Sequence, residues 1–174
     1  VEGSIKPGAF LNERGYLDEK FDYTKLGVKV YATDSYRHKF EGSLDKYGSF
    51  KLNGLPVNKR DYNLYVEVPG HLTSRLTTKL GTEKDGKLLG QYYYARFDEN
   101  LAGDVNGDKV IDIKDAEIIA NNYGKKGLSV KEGDLNKDGI VDEKDIRFVE
   151  KNFLKKGPDA SKSQTPVEKS KSGT

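Results

Sequence analysis

The chain has no cysteine and no methionine, only two histidines, and no long apolar run. Without cysteine there can be no disulfide, no thiolate metal site and no cysteine nucleophile, while the compartment stays open. Without methionine there is no Met-rich groove of the kind a calcium sensor opens to its targets. His38 and His71 lie in separate β-patterned segments, so a histidine-based catalytic centre has little to build on. A surface or packing role is expected for His71, and no catalytic residue is assigned. No segment approaches the length of a membrane span. Neither sign of charge dominates, with 30 Lys and Arg interspersed among 28 Asp and Glu. A nucleic-acid face needs clustered positive charge and is not indicated. The chain opens on Val1 with no signal-peptide pattern and reads as a fragment from the C-terminal end of a longer secreted protein.

Aspartate, by contrast, is abundant and regularly placed. Asp104–Asp115 reads DVNGDKVIDIKD, and Asp134–Asp145, thirty residues on, reads DLNKDGIVDEKD. Both put Asp, Asn, Asp, Asp and Asp at loop positions 1, 3, 5, 9 and 12, the spacing of an EF-hand-type calcium loop. The expected ligands are Asp104, Asn106, Asp108, Asp112 and Asp115 with the carbonyl of Val110. In the second loop they are Asp134, Asn136, Asp138, Asp142 and Asp145 with the carbonyl of Ile140. An all-oxygen protein cage favours calcium over magnesium, so two Ca2+ are expected. Many such loops carry Gly at position 6; Gly139 satisfies this and Lys109 does not, so the second loop is expected to be better formed.

The repeat outlasts the loops. Residues 103–127 match 133–157 at Asn122 with Asn152, Ile119 with Val149, Tyr123 with Phe153, and Lys125-Lys126-Gly127 with Lys155-Lys156-Gly157. Each unit is a calcium loop followed by one helix. An EF-hand has a helix on both sides, but here only AGD precedes the first loop, so each unit is half an EF-hand.

Residues 1–98 alternate with period two. Leu26, Val28, Val30 and Ala32 share one face, as do Tyr62, Leu64, Val66 and Val68. Asp45–Gly48, Asn53-Gly54 and Pro69-Gly70 punctuate as turns, and 87–97 reads as a last strand. An antiparallel β-sandwich follows. Tyr92-Tyr93-Tyr94 reads as core and interdomain packing, because neighbours in a strand face opposite ways. The division is a β-sandwich over 1–98, a loop-helix module over 99–157, and a polar tail over 158–174 that is expected to be disordered. Only DENLAG joins the first two, so they are expected to pack together.

On the helices, positions 13, 16 and 20 are taken as the shared core: Ala116, Ile119 and Tyr123, then Ile146, Val149 and Phe153. Position 15, Ile118 and Phe148, would then point outward. Around it lie Lys114, Asn121, Lys125, Lys144, Lys151 and Lys155, and an apolar centre with a polar rim is how a protein interface is built. Ile113 against Glu143, Glu117 against Arg147 and Asn121 against Lys151 differ between the copies, which favours a single binding orientation.

The duplicated loop-helix pattern over Leu101–Lys156, with Asp115 and Asp145 at position 12, resembles the dockerin family, the docking modules of bacterial cellulosomes. Tyr47–His71, with its Gly-x-Phe strand, Gly-Leu-Pro corner and Tyr-x-Leu-x-Val strand, resembles Ig-like or prealbumin-like accessory sandwiches. The two side by side resemble the X-module–type II dockerin pair that ends a cellulosomal scaffoldin. That resemblance implies a non-catalytic, extracellular module. Its partner would be a cohesin of a cell-surface anchoring protein, so that a cellulose-degrading complex is held at the surface. A regulatory calcium sensor and an accessory carbohydrate-binding module are the alternatives.

Overall fold

The structure is a computed structural model and describes residues 1–160. Among the described residues twelve strands precede the two α-helices: β1 (Glu2–Ser4), β2 (Lys29–Thr33), β3 (Lys39–Glu41), β4 (Ser43–Leu44), β5 (Ser49–Lys51), β6 (Asp61–Glu67), β7 (Gly70–His71), β8 (Ser74–Lys79), β9 (Gly81–Lys84), β10 (Lys87–Gly90), β11 (Tyr94–Ala95) and β12 (Ala102–Asp104). The helices are α1 (Ile113–Asn122) and α2 (Glu143–Lys151).

The sandwich has two four-stranded sheets, ordered β11-β1-β5-β4 and β3-β2-β6-β8. The alternation seen in the sequence sets their faces. Val30, Ala32, Tyr62, Leu64 and Val66 turn inward from one sheet, meeting Ile5, Phe50, Ala95 and Phe97 from the other side of the core. Tyr31 and Tyr65, on the opposite face, stack outside at 4.9 Å. The pairing departs from a purely antiparallel scheme where β11 runs parallel to β1 and at the parallel bridge of Pro7 with Asn100.

The expected single strand over 87–97 is two separate pieces. Lys87–Gly90 pairs with β9 in its own hairpin, and Tyr94–Ala95 joins β1. Between them Gln91 turns the chain, its amide bonded to the Lys79 carbonyl and to Thr82. Only Tyr93 packs on the core; Tyr92 and Tyr94 are exposed, hydrogen-bonded to Glu2 and Ser4. The packing role expected of all three tyrosines therefore belongs to Tyr93.

The joint between the modules is extensively bonded. β12 pairs antiparallel with β7, and the Leu72 N–H donates to the Leu101 carbonyl. Asn100, buried, donates from Nδ2 to the carbonyls of Val66 (3.0 Å) and Leu72 (2.9 Å). Gly70 has φ +75°, and a Cβ there would lie 2.5 Å from Val130 and 2.7 Å from Leu135, so only glycine lets the sandwich come this close. Leu72 belongs to the core of the helical module, and Ala9 packs against it. His71 is the packing histidine the sequence implies. Its Nδ1 bonds the Pro69 carbonyl (2.8 Å), its Nε2 accepts from the Ala9 N–H (3.1 Å), and its ring lies against Phe10. Of the expected disordered tail, Pro158–Ala160 are placed, with Asp159 accepting from Arg75 at 3.3 Å; residues 161–174 lie outside the described part.

Two outcomes follow from the joint. Leu72 is a sandwich residue buried in the helical core, so Leu72→Ala should cost the calcium-loaded helices about 2–3 kcal/mol; an unchanged helical melting curve by circular dichroism would show the modules to be independent. Burial pushes His71 down from 6.5 to about 4. The folded chain therefore binds fewer protons than the unfolded chain between those values, and its stability is complete above pH 6.5 and falls as pH drops towards 4. The loss is on the order of 3 kcal/mol. Thermal melts in excess calcium at pH 7 and pH 5 should show a steeper loss for the wild type than for His71→Phe.

Candidate metal centre

Each loop winds around its own carboxylates. The Asp104 side chain accepts from the Lys109 N–H (3.0 Å), and its counterpart Asp134 from that of Gly139 (3.1 Å). Asn106 and Asn136 each accept from the N–H of Asp108 and Asp138 at 3.1 Å. Asp108 and Asp138 accept from Val110 (3.0 Å) and Ile140 (3.1 Å). Asp112 and Asp142 are the N-caps of α1 and α2, each accepting from the N–H two residues on, and Asp115 and Asp145 close the capping boxes. Asp115 also accepts from Asn106 N–H (3.1 Å) and Asp145 from Leu135 N–H (2.8 Å). The helices thus begin on the same side chains that the spacing marks as ligands.

All twelve expected ligand residues are brought into two matching loops. Asp104, Asp115, Asp134 and Asp145 are buried at the base, and Asn106, Asp108 and Asp138 are exposed at the rim. In the first loop, carboxylate oxygens of Asp104, Asp108 and Asp115 lie within 4.8 Å of one another. Ligands on opposite sides of a calcium ion are about 4.8 Å apart. Asp104 Oδ1 and Asp134 Oδ1 are buried and accept no hydrogen bond. Burial, with neighbouring carboxylates adding to it, pushes Asp104 up to about 7 and Asp145 up to about 6, and raises Asp115 and Asp134 as well. A hard dication at these oxygens supplies the missing partner and the missing counter-charge. The residues present fit the group.

The advantage expected for the second loop is not there. Two positions per loop adopt the left-handed conformation, 4 and 6. The first loop has Gly107 (φ +73°) and Lys109 (φ +70°), the second Lys137 (φ +55°) and Gly139 (φ +96°). Each loop strains one lysine and spares one with glycine.

The helix faces also differ from expectation. Position 16 is buried, as Ile119 and Val149. The centre of the inward face, however, runs through positions 12, 16 and 19: Asp115, Ile119 and Asn122, then Asp145, Val149 and Asn152. Ile118 and Phe148 flank it, half-buried and packed against the core, so they do not point outward. Tyr123 and Phe153 are not core residues. The helices end at Asn122 and Lys151, and position 20 escapes the wheel. The exposed large apolar residues of this module are Ile113, Tyr123, Phe153 and Leu154, between 46% and 65% exposed. Lys114, Glu117, Asn121, Lys125, Lys144, Arg147, Lys151 and Lys155 are exposed as expected. The sequence reading placed the inward face by apolar residues alone. The Asp and Asn at seven-residue spacing, repeated in both units, were the signal that could have corrected it.

Comparison with known proteins agrees with this geometry. A family model described as "Dockerin type I domain" matches residues 102–154. Among solved structures, a chain of a type II cohesin–X-dockerin complex from Acetivibrio cellulolyticus, a C-terminal interface mutant, is similar at 19% identity with a TM-score of 0.63. The match covers 91% of this chain and 97% of that one. An N-terminal interface mutant of the complex gives 18% identity and a TM-score of 0.60, over the same shares. No curated protein matches. Residues 102–154 are a dockerin domain, and the chain has the fold of an X module joined to a dockerin.

Proposed function

We propose that this chain is a non-catalytic docking module that folds around two calcium ions and binds a cohesin, of type II, on a cell-surface anchoring protein. In that role it holds a cellulose-degrading complex at the outside of a bacterial cell. The observation that carries the calcium reading is the pair of buried, unpartnered oxygens, Asp104 Oδ1 and Asp134 Oδ1, at the same place in two loops. The type II assignment rests on the whole-chain fold. The type I description applies to the helical segment alone.

The partner face is re-centred from Ile118 and Phe148 onto Ile113 and Phe153. These two line a shallow, mainly apolar hollow between the helices together with Ala116, Ile146, Val149 and the one carboxylate Glu150. Lys114, Glu117, Asn121, Lys125, Lys144, Arg147, Lys151 and Lys155 are exposed on the same two helices or just after them and remain candidate partner contacts. The position related to Ile113 by the repeat is Glu143, which pairs with Arg147 at 2.7 Å. Rotating the module by its internal two-fold would put an ion pair where the apolar side chain belongs, so one orientation is favoured. One observation favours a second reading: Tyr92 and Tyr94 both face solvent beside Glu2 and Ser4, as a sugar-stacking surface would. Retention on insoluble cellulose that disappears in the Tyr92→Ala, Tyr94→Ala double variant would favour it over docking.

Excess chelator should melt the helices while the sandwich stays folded, and helical circular dichroism that ignores chelator would overturn the calcium reading. Because each loop strains one lysine, Asp104→Ala and Asp134→Ala should weaken calcium binding to similar extents, by tenfold or more for a lost charged ligand, on the order of 2 kcal/mol. Isothermal titration with calcium checks both. Against a type II cohesin, Phe153→Ala and Ile113→Asp should each lower affinity by tenfold or more, about 1.4 kcal/mol or above. Ile118→Asp should act mainly through stability, visible in melting rather than in the affinity of the folded fraction.

A further inference from the structure

Asn122 and Asn152 are matched in the repeat but are not calcium ligands. Each points away from its own loop. Asn152, 5% exposed, ends α2 and donates from Nδ2 to the Ala102 carbonyl at 2.8 Å. Ala102 lies two residues before Asp104, at the base of the first loop. Asn122 ends α1 and donates to the Glu132 carbonyl at 2.9 Å, two residues before Asp134. The glycines between follow the same crossing. A Cβ on Gly103 would lie 3.3 Å from the Val149 Cα, and one on Gly133 3.3 Å from the Ile119 Cα. The first loop is therefore seated on the second helix, and the second loop on the first.

The backbone after each helix completes the exchange. Leu154 N–H donates to Ile111 carbonyl and Ile111 N–H to Lys155 carbonyl, while Gly124 N–H donates to Val141 carbonyl and Val141 N–H to Lys125 carbonyl. Ile111 and Val141 each follow the residue, Val110 or Ile140, whose carbonyl is the expected ligand at position 7.

Resting on the calcium reading above, we infer that Asn152 and Asn122 are positioning residues for the calcium sites of the opposite repeat: Asn152 for the loop at 104–115, Asn122 for the loop at 134–145. Each helix then carries the capping ligands of one site at its N-terminus and the brace for the other site at its C-terminus. Filling either loop orders the helix that seats the other, so the two ions bind with positive coupling. The braces are unequal. Asn152 is buried, and its acceptor lies in the strand paired with β7 of the sandwich, whereas Asn122 is half-exposed and its acceptor ends a 3-10 turn.

The test uses the full chain and calcium alone. The backbone N–H groups of Lys109 and Gly139 donate to Asp104 and Asp134, so their amide resonances report the two sites separately during a calcium titration. In the wild type both should move together. In Asn152→Ala the Lys109 signal should lag, its midpoint rising about tenfold, as for a lost buried hydrogen bond. In Asn122→Ala the Gly139 signal should lag instead, by about threefold for the more exposed bond. A general loss of structure would move both signals together in either variant, and that result overturns the assignment, as does a variant whose own loop weakens first. If Asn152→Ala does not fold at saturating calcium, Asn122→Ala decides it alone. A wild type whose two signals ignore calcium would overturn the calcium reading itself, and the inference with it.

Discussion

Four aspartates crowd each of two short loops, and at the base of each loop two of them are out of water. Their mutual repulsion and lost hydration have to be relieved for the loops to close as they do, by protonation or by a bound cation. Much of the helical module hangs from this requirement. The N-caps, the capping boxes and the direction in which each helix leaves its loop are made by side chains that also hold the expected ligand positions. The core those helices share is small: Leu72, Val105, Ile111, Ile119, Leu135, Val141 and Val149. A core of that size does not by itself order a segment of some fifty residues, and binding free energy is then folding free energy.

The sandwich completes this core. Leu72 comes from it, Gly70 clears space for Val130 and Leu135, and β12, which opens the first loop, is held by β7. Asn100 stitches the crossing strand from both sides with one amide. The short DENLAG connection is thus a consequence of packing. A longer, looser linker would give up the register that puts Ala102 opposite His71.

The loops and the sandwich faces were legible because their signals are local. Ligand spacing repeats within twelve residues, and Val30, Ala32, Leu64 and Val66 alternate strictly. The helix faces were misread for a physical reason. Asp115, Asp145 and Asn152 are buried and Asn122 half-buried, and a wheel drawn from apolar residues treats such polar side chains as surface ones. Tyr123 and Phe153 were extrapolated along helices that had already ended. The strain at Lys109 was visible from the missing glycine. Its match at Lys137 was not, because position 4 carries no ligand and gives no cue until φ is seen. The break within 87–97 depends on which partner strands are available, β9 and β1, and no local pattern states that.

Duplication explains why symmetry is kept in one place and lost in another. Both loops share one ligand spacing, and their side-chain hydrogen bonds match except that Asp115 accepts from the N–H of position 3 and Asp145 from that of position 2. Neither half can bury its own apolar stripe, so each leans on the other, and the bracing runs crosswise as a geometric necessity of two short helices sharing one core. Nothing of this kind constrains the outer surface. There Ile113 is opposed by Glu143 and Glu117 by Arg147, and the chain enters the first loop from a strand but the second from a 3-10 turn. A partner that touches this surface meets two different ends, and the sandwich meets the two loop entrances differently, pairing with β12 at the first and packing Gly70 on Val130 and Leu135 at the second. The internal two-fold therefore belongs to the loops and the core, while the outer face has a direction.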